Sequence, residues 1–282
     1  MICLSNIRRR VVTSRLPFLL LGIIGIILAL NSTTGVASSL DEAENLFVKA
    51  QASYREGLEH TGKKRRISML KAANQFESLV RLHGLENGKL FYNIGNAYLE
   101  AGERGKAILY YRKAERLTPG FYDLTYNLNL ARRELQLPAP EKEWWSDIAR
   151  ALFFWHFMFD YQLRRIVAVT LFVFIWILLT ATVFNRHYLI KSIIFLNLFF
   201  FVAFGGSFLV SAYRLHLIEA GVVTSVSTPT RKGPGFSYEK VYEQNLPAGT
   251  EFRLLKKQGE WWKVRLPSGD DLWLHNKDAD LI

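Results

Sequence analysis

The sequence has little of what enzymes and disulfide-bonded domains use for their chemistry. Its 282 residues contain a single cysteine, Cys3, so the rest of the chain has no thiol for a disulfide, a cysteine–zinc site or a nucleophile. No two of the six histidines have the one-turn spacing of a helical metal site. A phosphate-binding glycine-rich loop and a Gly-x-Ser-x-Gly motif are also missing. These absences predict a protein that is not an enzyme and that binds no metal or cofactor.

Charge is missing altogether from three long stretches. They are residues 16–30, 166–184 and 192–213, and none contains Lys, Arg, Asp or Glu. Elsewhere 36 basic residues outnumber 25 acidic ones, which gives a formal charge of +11. Half of all residues (50%) are hydrophobic, and many of them are concentrated in these three runs. Such runs predict export or membrane segments.

The first run has the order of a secretory signal peptide. Four arginines precede residues 16–30, and small and polar residues follow them to Ser39, with cleavage expected near Ala37 or Ser38. An uncleaved signal anchor is the alternative, and both carry the chain from Ser39 across a membrane. Removal of residues 1–38 lowers the charge to 11 − 4 = +7. The basic balance is therefore weak support for nucleic acid, and we predict no nucleic-acid partner.

Residues 40–137 have the apolar spacing of amphipathic helices. One window resembles the tetratricopeptide (TPR) repeat at every expected position, with Phe91, Ile94, Gly95, Tyr98, Ala107, Tyr111, Ala114 and Pro119. Gly95 and Ala107 are small enough for two antiparallel helices to approach closely, and Pro119 ends the second helix. Because one repeat cannot bury its own face, we expect degenerate repeats on both sides.

A stack of helix hairpins has a concave groove lined by the first helix of each repeat. The residues that we expect to line it are Tyr92, Asn96, Leu99 and Asn127. Amides at such positions can bind the backbone or a carboxylate of a protein partner. The alternative is a solvated helix face with no partner.

The two later uncharged runs predict two transmembrane helices, 166–184 and 192–213, joined by a short turn. Residues 138–165 before them form a linker and an aromatic segment typical of a membrane interface. If the N-terminal segment is exported, the hairpin returns both flanking regions to the periplasmic side. Arg164, Arg165 and Arg214 would then lie outside, against the usual excess of basic residues on the cytoplasmic side.

From residue 220 the apolar residues alternate with polar ones, which predicts a small β domain over 220–282. Its segment Gly259-Glu-Trp-Trp-Lys-Val-Arg-Leu266, followed by Gly269 and Trp273, resembles the bacterial SH3-like domain. The aromatic residues that could form a platform for a peptide or a cell-wall glycan are Tyr238, Tyr242, Trp261 and Trp273. Packing inside the barrel is the alternative for each, and Trp262 is expected in the core.

The order of these segments resembles the aerotolerance (Bat) family, and within it the BatE-type membrane proteins. The predicted fold class is a multidomain membrane protein with an α-helical TPR solenoid, a transmembrane hairpin and a small C-terminal SH3-like β-barrel. The resemblance implies a non-catalytic envelope role in the bacterial inner membrane, with von Willebrand A domain proteins and a MoxR-type ATPase as partners. The alternative is a protein that attaches to cell-wall peptidoglycan and recruits a hydrolase.

Overall fold

The computed structural model describes residues 37–120, 122–137, 146–184, 188–217 and 219–282. The predicted signal segment lies outside the described residues except for Ala37 and Ser38, and so do residues 138–145 of the predicted linker and aromatic segment. The described chain belongs to two compact units. One is built on Leu163–Phe208, and the other combines Ser39–Gln162 with Leu209–Ile282.

The predicted helical region forms five successive helices. They are α1 (Ala37–Glu59), α2 (Gly62–His83), α3 (Gly88–Glu100), α4 (Arg104–Leu117) and α5 (Tyr122–Glu134). The helix ends have local causes, since Gly84 ends α2 with a left-handed φ of 61°. The Asn87 side chain begins α3 by accepting a 2.8 Å hydrogen bond from the Leu90 amide.

The apolar residues that predicted the helices form one common core. Phe91, Ile94 and Tyr98 of α3 are buried and pack with apolar residues of the other four helices. Gly95 allows α3 and α4 to approach, because a Cβ atom there would lie 2.6 Å from the Tyr111 ring. The close helix contact expected from Gly95 is therefore confirmed.

The C-terminal region is an antiparallel β domain, as the sequence predicted. Its strands are β1 (Ala220–Val223), β2 (Ser227–Thr228), β3 (Leu246–Pro247), β4 (Glu251–Gln258), β5 (Trp261–Arg265), β6 (Asp271–His275) and β7 (Ala279–Leu281). Five of them form a sheet in the order β6-β5-β4-β1-β7, and β2 pairs with β3. Buried Val223, Phe252, Val264, Leu272 and Leu274 belong to its core.

The helices and the β domain pack against each other through β1. Val222 is buried in the helical core, whereas its neighbour Val223 is buried in the core of the β domain, because successive strand residues point to opposite faces. Gly105 of α4 permits this contact, since a Cβ atom there would lie 2.8 Å from the Ala248 Cβ and 3.2 Å from the Val223 carbonyl oxygen. The two modules therefore form one body.

An ion-pair cluster crosses the same interface. The Glu251 carboxylate accepts a hydrogen bond from the buried Arg132 through Nε at 3.1 Å, and its other oxygen lies 2.9 Å from Arg112 Nε. The side chains of Arg132 and Glu251 retain 11% and 22% of their exposure. Burial lowers the pKa of Arg112, but Glu115 and Glu251 outweigh it and the net pKa is raised. One carboxylate thus joins α4 and α5 to β4.

Two short helices, α6 (Ser146–Leu152) and α7 (Phe154–Met158), contain the predicted interfacial segment. Their exposed large apolar residues are Ile148, Leu152, Phe153, Phe154 and Met158. Phe157 instead contacts the turn between α4 and α5, where a Cβ atom on Gly120 would lie 2.9 Å from its Cβ. The segment therefore exposes apolar side chains while remaining attached to the helical core.

The last two helices, α8 (Tyr161–Phe184) and α9 (Tyr188–Leu217), are longer than the uncharged runs that predicted them. By length and composition, Tyr161–Val183 and Tyr188–Tyr213 can cross a membrane. Helix α8 continues through Arg164, which is buried and donates a 2.9 Å hydrogen bond to the Ser207 hydroxyl. An uncharged run marks the apolar length of a helix, not its ends, because helical hydrogen bonding also accommodates flanking polar residues.

We expect Glu251→Gln to weaken the contact between the helices and the β domain. The amide keeps the size of the side chain but removes the charge between Arg112 and Arg132, so stability should fall by about 3 kcal/mol, near the lower end for a broken buried pair. Hydrogen exchange of the β1 amides in the detergent-solubilised full chain measures this loss.

The matched control is Asp271→Asn, which removes an exposed carboxylate beside Arg265 and Lys263. We expect no measurable change in β1 exchange, because exposed ion pairs contribute little. Equal protection in the Glu251→Gln variant and the unmodified chain would contradict a stabilising role for the interface cluster.

Candidate partner-binding surfaces

Helices α3 and α5 bring together three of the four residues predicted to line a groove. The Asn127 Nδ2 donates to the Tyr92 hydroxyl at 3.1 Å and to the Asn96 Oδ1 at 3.0 Å. The Asn96 Oδ1 also accepts a 2.7 Å hydrogen bond from the buried Tyr111 hydroxyl. We call Tyr92, Asn96, Tyr111 and Asn127 the amide cluster. Its hydrogen bonds hold both amides in fixed orientations.

The amide cluster presents one donor and one acceptor for a further molecule. Within the described residues, no hydrogen bond reaches the Asn96 Nδ2 or the Asn127 Oδ1. Both side chains are half-buried, so these groups are partly desolvated but still accessible. A peptide group has one N–H and one C=O, and it matches such a pair in hydrogen-bonding capacity.

The fourth predicted groove residue has a different role. Leu99 is half-buried and packs against the helical core, so it contributes chiefly apolar contact. Tyr54 packs against the same helical core, and burial raises the pKa of its phenol, with Glu100 and Tyr92 adding to the effect. Sequence reasoning placed Tyr54 on a degenerate upstream repeat but did not assign it to this surface, and it did not predict the Arg65–Glu100 ion pair, because that pair joins residues 35 positions apart.

In the β domain, two of the four predicted platform residues are buried. Trp261 and Trp273 keep only 8% and 9% of their exposure. Trp262 packs against the core of the β domain, as predicted, and strand alternation puts its neighbour Trp261 on the other face. Phe236, from the loop before β3, covers Trp261 with ring centroids 4.9 Å apart.

The two tyrosines of the predicted platform are more accessible. Tyr238 is 49% exposed and lies over Gly233, where a Cβ atom would come within 2.4 Å of its ring. The Tyr242 hydroxyl donates a 2.5 Å hydrogen bond to Asp270, which raises the pKa of Tyr242 and lowers that of Asp270. Tyr242 is therefore held by its own domain.

The exposed aromatic surface of this domain includes a residue that sequence reasoning missed. Phe236 is 62% exposed although it contacts both Trp261 and His275. Together with Tyr238 it forms what we call the loop aromatics. Its position in the Gly-Pro-Gly-Phe turn was the available signal, because a large apolar residue at a turn has few core neighbours.

Within the described ranges, no three His, Cys, Asp or Glu side chains are grouped closely enough to hold a metal ion. Neither a protein-family model nor a curated protein matches the chain. The geometry of the amide cluster and the loop aromatics is therefore the basis for functional inference.

Two buried tyrosines, Tyr98 and Tyr111, and the half-buried Tyr110 predict a loss of stability at high pH. Burial is the main cause that raises the pKa of Tyr98, Tyr110 and Tyr111 above the ordinary value of 10.0, and Glu77 adds to it for the first two. The native state then keeps protons that the unfolded chain releases. This contribution to stability is fully present below pH 10.0 and falls as the pH rises beyond it.

We expect the three phenolate signals to appear in ultraviolet absorbance only as the helices unfold, as followed by circular dichroism. Tyr98→Phe should reduce the dependence of stability on pH in this range, whereas Tyr122→Phe, at a 78% exposed position, should leave it unchanged. Ionisation of all tyrosines near pH 10 with the helices intact would contradict the prediction.

Proposed function

We propose that the chain is a non-catalytic adaptor anchored in the bacterial inner membrane by α8 and α9. In this proposal α1–α5 form a TPR-type stack and the β domain is SH3-like. Export of the N-terminal segment puts both modules on the periplasmic side. The length and apolar composition of α8 and α9 support the anchoring part of the proposal.

The amide cluster is the observation that carries the binding function. Asn96 and Asn127 are oriented by bonds to two tyrosines, and one amide donor and one amide acceptor remain. An extended polypeptide segment supplies the matching C=O and N–H, while Tyr92 offers aromatic contact area. Because the amides are held in place before binding, little side-chain entropy is lost when a partner docks.

The interface between helices and sheet supports an adaptor with two binding modules. Val222, Glu251 and Gly105 hold the β domain against α4 and α5, so the amide cluster and the loop aromatics keep a fixed spacing. A partner that contacts both surfaces gains from this arrangement, since the second contact is intramolecular.

The resemblance to the aerotolerance family supplies the proposed partners. They are membrane proteins with von Willebrand A domains and a MoxR-type ATPase system, acting in an envelope complex linked to stress or oxygen tolerance. An extended terminus or loop of such a protein is the chemical element that the amide cluster would bind.

A second candidate function follows from the loop aromatics. Exposed Phe236 and Tyr238 offer flat apolar faces on which the rings of a glycan strand can stack. The β domain would then attach the chain to peptidoglycan, and the helical stack would recruit a hydrolase.

Photo-cross-linking in intact cells separates the two functions. Benzoylphenylalanine in place of Tyr92 keeps an aromatic ring at the amide cluster, and the same residue in place of Phe236 samples the loop aromatics. Capture of von Willebrand A domain proteins at position 92 supports the adaptor. Capture of wall fragments at position 236 with no protein at position 92 supports the attachment function, and cytosolic partners at both positions refute the periplasmic location.

We expect Asn127→Ala, combined with the photoreactive residue at position 92, to weaken partner capture about tenfold. The variant removes the Asn127 Oδ1 acceptor and the hydrogen bond from Asn127 to Asn96. We expect the binding free energy to fall by roughly 1.4 kcal/mol. Capture as a function of partner expression measures the change. The control is Asn74→Ala on the exposed side of α2, which should capture as well as the parent; equal capture by both variants would sink the amide-cluster proposal.

A further inference from the structure

Strand β4 carries like charges opposite like charges. Arg253 pairs in register with Arg265 of β5, and Lys256 pairs with Lys263. Asp271 lies beside Lys263 at 3.2 Å and Arg265 at 2.6 Å, which lowers the pKa of Asp271 to about 2. Directly opposed like charges destabilise a sheet, so this arrangement opposes folding.

Two basic side chains of β4 are not neutralised within the domain, although Lys257 of the same strand pairs with Glu219. Among the residues that the structure describes, neither Arg253 nor Lys256 forms an ion pair. Both side chains are exposed to solvent. A basic surface that is kept despite its cost to the sheet fits an anionic partner.

A β-bulge adds an apolar side chain between the two charges. The pairing of β4 with β5 shifts between Leu254 and Lys256, so Leu255 is the extra residue. Leu254 is buried in the core, whereas Leu255 is 38% exposed. Bulges redirect side chains in this way. We call Arg253, Leu255 and Lys256 the β4 patch.

The β4 patch lies close in the chain and in space to the end of a candidate membrane helix. Helix α9 ends at Leu217, and Glu219 follows two residues later. The Glu219 carbonyl oxygen accepts a 2.8 Å hydrogen bond from the Leu254 amide, and its carboxylate pairs with Lys257 at 3.1 Å. Two residues span at most about 7 Å, so the Leu254 amide lies within roughly 12 Å of the end of α9.

The short distance between the β4 patch and the end of α9 favours phospholipid headgroups as the anionic partner. The headgroup layer of a bilayer is several ångströms deep, and the apolar part of α9 ends at Tyr213. We propose that the β4 patch binds the anionic phospholipid headgroups of the bilayer that α9 crosses, with Arg253 and Lys256 on the phosphates and Leu255 inserted between lipids. Basic residues near such a surface are attracted over about one Debye length. The inference shares the membrane anchoring of the proposed function but needs neither the amide cluster nor a protein partner.

The test uses the full chain with Cys3→Ser and Gln258→Cys, labelled with a fluorophore at position 258, beside the β4 patch. The protein is reconstituted into vesicles of phosphatidylcholine, alone or mixed with phosphatidylglycerol, and both contain lipids with a nitroxide on the headgroup. We expect stronger quenching in the phosphatidylglycerol vesicles and a fall to the phosphatidylcholine level in molar salt.

The decisive variant is Arg253→Gln/Lys256→Gln, which should lose the extra quenching in phosphatidylglycerol vesicles. Its control is Lys240→Gln/Lys277→Gln, which removes two exposed charges elsewhere in the β domain and should keep it. Leu255→Ser should lower quenching in both lipids.

Three results would overturn the proposal. They are equal quenching in the two kinds of vesicle, a loss of quenching in the control variant as large as that in the decisive variant, and no quenching at all. The last result would assign the charges to an acidic polymer or protein. A failure of capture at position 92 with lipid-dependent quenching intact would refute the proposed adaptor function alone.

Discussion

The packing of one strand between two apolar cores is the constraint on which the larger unit depends. β1 is only four residues long, yet Val222 belongs to the core of the helices and Val223 to the core of the β domain. Polar groups at the border of this contact are paired, above all Glu251 with Arg112 and Arg132. A shift of β1 by one residue would move one valine into the place of the other and leave Gly221 in the helical core or Thr224 in the core of the β domain.

The same contact ends the helical stack. The β domain covers the apolar side of α4 and α5, where a further helix would otherwise pack. Ile108 is buried there, and a Cβ atom on Gly249 would lie 2.7 Å from Ile108 Cδ1 and 2.9 Å from Leu135 Cδ1. The length of the surface that contains the amide cluster is limited accordingly. In our proposal it accommodates a short extended segment of a partner.

The sequence predicted α1–α5 and the C-terminal sheet from periodic patterns of apolar residues, and it predicted the apolar pair α8 and α9 from long uncharged runs; each of these signals extends over many residues. It also predicted that Asn96 and Asn127 lie on one surface, since stacked helix hairpins turn one face of successive helices to the same side. The contact of Glu251 with Arg132 was not predictable, because residues 119 positions apart leave no local signal. The exposure of Phe236 and the burial of Trp261 depend on how one loop lies over β5, and alternation along a strand does not report that.

The larger unit is discontinuous in the chain. Its helices are synthesised before α8 and α9, whereas its sheet is synthesised after them. Until the segment that contains Val222 and Gly249 has been synthesised and has packed against α4, the apolar side of α4 near Ile108 remains exposed. If the hairpin of α8 and α9 inserts into a membrane during synthesis, the larger unit can fold completely only after both apolar helices have been made. The chain that follows them must also lie on the same side of the membrane as α1–α5. A chain that stops early, or that places its last segment on the wrong side, keeps an uncovered apolar helix face, the feature that chaperones and proteases recognise.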